Sequence, residues 1–518
     1  MKRSAQPHKT YLSSNSIRRL VRGGGTILAL TIVLLPCSRA SQTPIFPAKL
    51  ASVGIGGTQA DGSTSSGGIS SDGRFVALDS RATNLVVDDE NDESDIFVYD
   101  TQENVVERVS TDSEGLEADG RSFDPAISAD GRYVCFRSTA DNLVPGDSNG
   151  NWDVFVKDRQ TGEVVMASVS SDEIQGEGSG GDAASYYNLA ISGNGLVVAY
   201  GSDATNLVDG DTNGETDVFV RDLVAGTTER ISVALASMTE ADGPSEEPSL
   251  SYDGQYVAFV SSATNLIGSD SNGARDVFRR DRTEGTTILI SQNSSSAQGD
   301  QSSDKGTISA DGNLVTFYSG STNLDLVSSD TNGVKDIFVR DVTGGTTVRI
   351  SISDSGVESD DHCYGPSISP NGRYVSFSSE GTVLTDGDTN GLEDIFRFDR
   401  QLSTLSIVSH AANGTPADDY STEAVVSDNG ITAFLSEASN LGPTDTNGFS
   451  DVYVEGRALY SSPAPQPAAK NAALVKKIEK QIAKAKSALK KANRGKKKAK
   501  AKKLKKKLKK LKKALKKL

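Results

Sequence analysis

A seven-residue acidic string, D-x-N-G-x-x-D, returns seven times at a nearly fixed interval, and no other feature limits the fold as much. Its first Asp falls at Asp89, Asp147, Asp211, Asp270, Asp330, Asp388 and Asp445, in steps of 58, 64, 59, 60, 58 and 57 residues. The first copy carries Asp92 where the others carry Gly. A period of this length marks a repeat architecture, in which each unit buries its faces only against its neighbours.

One unit shows the plan. DPAIS (Asp124–Ser128) is a short apolar segment, and Ala129-Asp130-Gly131 is a hairpin turn. RYVCFRS (Arg132–Ser138) alternates with period two, so one face is buried. The long acidic loop follows. DVFVKD (Asp153–Asp158), a second hairpin turn and EVVMASVS (Glu163–Ser170) complete four antiparallel strands. No helical period occurs between Ser41 and Arg457. Four-stranded sheets repeated radially form a β-propeller, which protects its edges by closing on itself. The seventh unit, AVVS, ITAFLS and DVYVEG, lacks a fourth strand, and the segment around Lys49–Val53 matches the missing piece. The sequence therefore predicts an all-β, seven-bladed propeller over residues 41–457, whose N-terminal strand closes the last blade.

The pattern S-x-D-G-R-Y-V-x-F-x-S-x-A-T-N-L followed by D-x-N-G-x-x-D-V-F-V-R-D resembles the bacterial TolB-like, WD-repeat-like propeller repeat. Ser71-Asp72-Gly73-Arg74-Phe75-Val76 and Ser369-Pro370-Asn371-Gly372-Arg373-Tyr374-Val375 carry the likeness, which spans roughly residues 45–457. The resemblance implies the fold and little about function. TolB itself has six blades behind an α/β domain; neither matches here, so its envelope role is not carried over.

Strands that run outward from a central channel place all seven acidic loops, with the connectors between units, on one rim. The candidate ligands there are Asp89, Asn91 and Asp95; Asp147, Asn149 and Asp153; Asp211, Asn213 and Asp217; Asp270, Asn272 and Asp276; Asp330, Asn332 and Asp336; Asp388, Asn390 and Asp394; and Asp445, Asn447 and Asp451. Asp and Asn offer the hard oxygens that calcium takes, but Gly comes earlier than in an EF-hand and no closing Glu follows. The alternative is purely structural. Asn and Asp cap their own backbone two residues on, Asn-Gly favours a left-handed turn, and Asn142 and its counterparts would do the same upstream. The Asp92 copy should be the poorest loop.

Charge divides the chain. Residues 41–469 hold 23 Lys+Arg against 68 Asp+Glu, whereas residues 470–518 hold 24 against Glu479 alone. After a Pro/Ala-rich linker (458–470), the tail (471–518) sets Val475, Ile478, Ile482, Ala485, Leu489 and Ala492 at helical spacing. Leu504, Leu508, Leu511, Leu515 and Leu518 resume it, with Lys elsewhere. Such a basic amphipathic helix suits an anionic membrane or cell-wall polymer, or the acidic propeller itself. An exported chain with no aromatics in its tail argues against nucleic acid.

Residues 1–40 read as an export signal. Arg18, Arg19 and Arg22 precede an apolar run, Thr26–Leu35, and Ser38 and Ala40 fit a small-x-small cleavage site. A periplasmic or extracellular location follows. Leu34-Leu35-Pro36-Cys37 departs from a lipoprotein box at Pro36, and the residues around Arg18-Arg19 depart from a twin-arginine motif. Cys135 falls in a strand and Cys363 in a loop, with no disulfide framework or zinc spacing.

Catalytic signals are sparse. The histidines are His8, His362 and His410, with no G-x-S-x-G elbow and no sialidase-type Asp box. Tyr186, Tyr187, His362 and Tyr364 would lie on connectors of the acidic rim. The expectation is a non-enzymatic binding scaffold with a protein or polysaccharide ligand on that rim. The alternative is a hydrolytic propeller using convergent carboxylates on carbohydrate.

Overall fold

A computed structural model describes residues 48–177, 189–234, 240–324, 330–442 and 445–455. Its 28 strands form seven four-stranded antiparallel sheets, each ordered a-b-c-d as the chain runs. Blade 2 consists of strands a Ser122–Ile127, b Tyr133–Ser138, c Asp153–Asp158 and d Val164–Met166. Strand d is shorter than the expected Glu163–Ser170. The a strands of successive blades pack on one another, and blade 7 meets blade 1, so the a strands form the inner ring of a closed propeller.

Closure follows the expected route. Blade 7 takes a, b and c from Ser421–Val426, Thr432–Ser436 and Asp451–Glu455, and its outer strand is Ala48–Leu50. Ala48, Lys49 and Leu50 pair with Glu455, Val454 and Tyr453. No helix occurs among the described residues. The expected signal segment, linker and basic tail, with Cys37, Tyr186 and Tyr187, lie outside the described residues.

The core sits between blades. Strands b and c contribute facing aromatics, such as Phe136–Phe155, Phe259–Phe278 and Phe317–Phe338, with centroids 6.0, 5.8 and 5.6 Å apart. One cluster joins Ala77, Ile96 and Val98 of blade 1 to Val134, Phe136 and Phe155 of blade 2. Strand b is thus buried on both faces, Val134 and Phe136 against blade 1 and Cys135 against blade 3, and not on one face as its alternation predicts.

The S-x-D-G-R turn opposite the acidic rim is built by side chains. Ser128 Oγ donates to Asp130 Oδ1 (2.7 Å) and accepts the Tyr133 amide (2.9 Å). Gly131 adopts φ +72° and lies against the Phe75 ring, where a Cβ would come within 2.2 Å. Arg132 pairs with Asp158, as Arg74 does with Asp100 and Arg373 with Asp399, so the Arg and the closing Asp of the repeat meet across strands b and c.

Cys363 does not lie in a loop. It begins strand a of blade 6 (Cys363–Ile368) and is fully buried, in the position that Ser122 holds in blade 2. Tyr364 lies on the same strand rather than on a connector. Inner-strand residues look polar because they line the inner ring, which hides the strand pattern.

Candidate functional site

Every acidic loop is closed by one recurring set of hydrogen bonds. In blade 4, Asn272 Oδ1 accepts the Ala274 amide (2.9 Å) across Gly273 at φ +61°. Asn272 Nδ2 donates to Asp276 Oδ2 (3.1 Å) and to the Gly299 carbonyl on the following connector (3.0 Å). Asp276, wholly buried at the start of strand c, accepts Ser291 Oγ (2.5 Å). Asn91, Asn149, Asn213, Asn332, Asn390 and Asn447 make the same tie to their connectors. Asp95, Asp153, Asp217, Asp336, Asp394 and Asp451 take the same serine bond. The Asn side-chain oxygens are therefore spent on their own turns.

The upstream asparagines complete the rim. Asn142 donates to the Glu117 carbonyl (2.8 Å) and accepts the Asp119 amide (3.2 Å), and Asn265 and Asn323 repeat the pattern. In blade 1, Asp92 adopts φ +57°, the conformation of the glycine it replaces. That loop keeps its bonds, although Asn91 to Asp95 is stretched to 3.4 Å.

What the first Asp of each loop meets depends on two positions outside the motif. In blades 1, 3 and 5 an arginine on strand d enters between the two Asp residues and a glutamate of the connector. Arg108 reaches Glu117 (2.5 Å), Asp95 (3.3 Å) and Asp89 (4.0 Å). Arg230 serves Asp211, Asp217 and Glu240, and Arg349 serves Asp330, Asp336 and Glu358. In blades 2, 4 and 7 a connector glutamine does the work. Gln175 Nε2 lies 2.8 Å from Asp147 and 2.7 Å from Asp153. Gln298 bridges Asp270 and Asp276, and Gln59 reaches Asp445 (2.9 Å).

Among the described residues one acidic group, Asp89, Asp95 and Glu117, brings its ligand oxygens within 4.8 Å of one another. Arg108 already supplies its cation. Burial still pushes Asp89 up to about 7 and Asp95 to about 6, with the guanidinium opposing.

A second charged feature lies on the inner ring. Strand a bulges in blades 2, 4, 5 and 7, and Asp124, Glu247, Lys305 and Glu423 there adopt φ between +52° and +54°. Glu247 accepts the Lys305 amide of the next blade (2.9 Å), and Glu423 accepts Ser65 Oγ of blade 1 (3.2 Å). Asp124 pairs with Arg137. Burial, together with the charges of Asp124 and Glu423, holds Asp79 well above the usual carboxylate range. Sequence reasoning missed this ring; the available signal was a charged residue two places after the Ser that opens strand a in all four of these blades.

His362 Nδ1 accepts the Lys335 amide (2.8 Å), and its ring packs on Tyr364. His410 Nδ1 turns to the Ala411 carbonyl (3.1 Å). Both histidines are tied into the rim itself.

No protein-family model matches the chain, and no curated protein does. Similar solved structures include one described as a TolB from Agrobacterium tumefaciens, at 15% identity and TM-score 0.36, covering 68% of this chain and 93% of that one. A prolyl endopeptidase aligns at 12% identity and TM-score 0.44, over 76% of this chain and 50% of that one. The GH74 enzyme of Niastella koreensis aligns at 12% identity and TM-score 0.40, over 75% and 52%. The chain spans about half the length of these last two. The likenesses carry no functional assignment.

Proposed function

We propose that this chain is an exported, non-enzymatic binding scaffold. Its acidic rim presents a protein or polysaccharide site, and its basic tail holds it to an anionic membrane or cell-wall polymer. The observation that carries this reading is the uniform locking of the loops: seven rim segments share one hydrogen-bond set, which makes a rigid, acidic platform rather than a mobile lid. The opposite charge of residues 470–518 supplies the second contact. The test is a sedimentation assay of the full chain on anionic and neutral vesicles, with and without residues 465–518. Salt-sensitive retention on anionic vesicles that needs the tail supports the reading; retention that ignores the tail overturns the attachment role.

A second reading, a hydrolytic propeller acting on carbohydrate, has one observation in its favour: burial, with the charge of the inner-strand Glu423 beside it, raises both Asp79 on strand b of blade 1 and Asp124 on strand a of blade 2. Release of reducing ends from a polysaccharide panel, lost in Asp124→Asn, would establish it.

A further inference from the structure

Blade 6 keeps the acidic loop and loses the group that answers it. Strand d has Ile407 where blades 1, 3 and 5 have arginine, and the connector has Pro416 where the other blades have Glu or Gln. Asp388 is 5% exposed and Asp394 wholly buried. Asp394 still accepts Ser409 Oγ (2.5 Å) and Asn390 Nδ2 (2.8 Å). Neither oxygen of Asp388 has a hydrogen-bond partner, and no described cation pairs with it. The Asn390 amide is the one group acting to lower its pKa, and it stays outside hydrogen-bond geometry. Thr385, in the turn before it, stands where Val86, Val144, Val208 and Ile267 are apolar, and its hydroxyl is also buried without a partner. Two buried carboxylates without a counter-charge are costly unless something pairs with them.

We propose that Asp388 and Asp394 of blade 6 form a site for one hard divalent cation of the calcium class, in the place that an Arg or Gln side chain takes in the other six loops. The other blades give the scale. A single amide nitrogen sits 2.8 and 2.7 Å from the two carboxylates in blade 2, and 2.9 and 2.7 Å in blade 4. Calcium–oxygen bonds run about 2.3–2.6 Å, so a cation at that point needs an inward movement of only a few tenths of an ångström. The donor set is oxygen alone, since His410 faces the Ala411 carbonyl, and that favours the calcium class over metals that seek nitrogen or sulfur. Two carboxylates, completed by carbonyls and water, give a weak site with Kd of about 10⁻⁴–10⁻³ M. The inference narrows a calcium role from seven loops to one and does not depend on the scaffold reading.

The experiment titrates the full chain, freed of metal, with calcium chloride at pH 7.5, by calorimetry and by melting temperature. The expected result is one calcium per chain and a raised melting temperature. Asp388→Asn abolishes both. The double variant Ile407→Leu with Pro416→Gln, which copies blade 4, melts higher than wild type without metal and no longer responds to calcium. Absence of calcium binding overturns the site, as does a stoichiometry near seven or binding that survives the double variant. Vesicle retention is unaffected by any of these outcomes, so the two readings fail separately.

Discussion

Blades 5 and 6 are neighbours with the same loop, DTNGVKD and DTNGLED, yet only blade 5 answers its charge with a side chain. In blade 5, Arg349 is fully buried and touches Glu358 (2.6 Å) and Asp336 (3.0 Å), with Asp330 at 3.6 Å. In blade 6, Ile407 and Pro416 leave Asp388 facing Asp394 with no described counter-charge. The motif alone therefore does not determine the chemistry of its rim. A strand-d residue and a connector residue do so, through the charge they bring to the same two carboxylates.

The largest test of that contrast removes the arginine. Arg349→Ala leaves three carboxylates around a buried space and should cost about 3–5 kcal/mol, read as a lower denaturant midpoint at unchanged slope. Gln298→Ala turns blade 4 into a second blade 6. It should cost about 1–3 kcal/mol for the lost amide bonds, and calorimetry should then show a second calcium-responsive site.

The pH dependence is smaller. Asp394 and Asp89, raised to about 7, hold protons in the folded protein that the unfolded chain releases near the ordinary value of about 3.9. Their stabilising contribution is complete below that lower value and is lost as pH rises through about 7. Metal-free protein should thus melt lower at pH 8 than at pH 5 by scanning calorimetry, and calcium should reduce the difference. The smallest effect is expected from Asp92→Gly in blade 1, which removes a left-handed aspartate and should add about 0.5–1 kcal/mol by thermal melting.

The period of D-x-N-G-x-x-D and the alternation of segments such as RYVCFRS made blade number, strand order and ring closure legible, because they repeat locally. The role of the counter-groups was less visible. Arg108, Arg230 and Arg349 each lie thirteen residues after the last Asp of their loop, and each occurs with a connector Glu. Met166, Leu289 and Leu50 occupy the same place where the connector carries Gln. That co-occurrence was readable, but only after the loop is understood to contact the next connector. The inner ring was hidden for another reason. Asp124, Glu247 and Glu423 sit on strands with one face on the ring, so their sequences resemble loops.

The closing strand carries more than its three backbone pairs. Ser52 donates to Asp451 (2.5 Å), and Gln59 reaches Asp445 (2.9 Å), so the last loop is assembled from residues almost four hundred positions apart. Six loops can form from contiguous chain as it emerges; the seventh waits for the first and last strands to meet. Formation of blade 7 is therefore the event of highest contact order in the molecule, the step expected to limit its folding rate, and the point at which pulling on residue 48 would begin to open the ring.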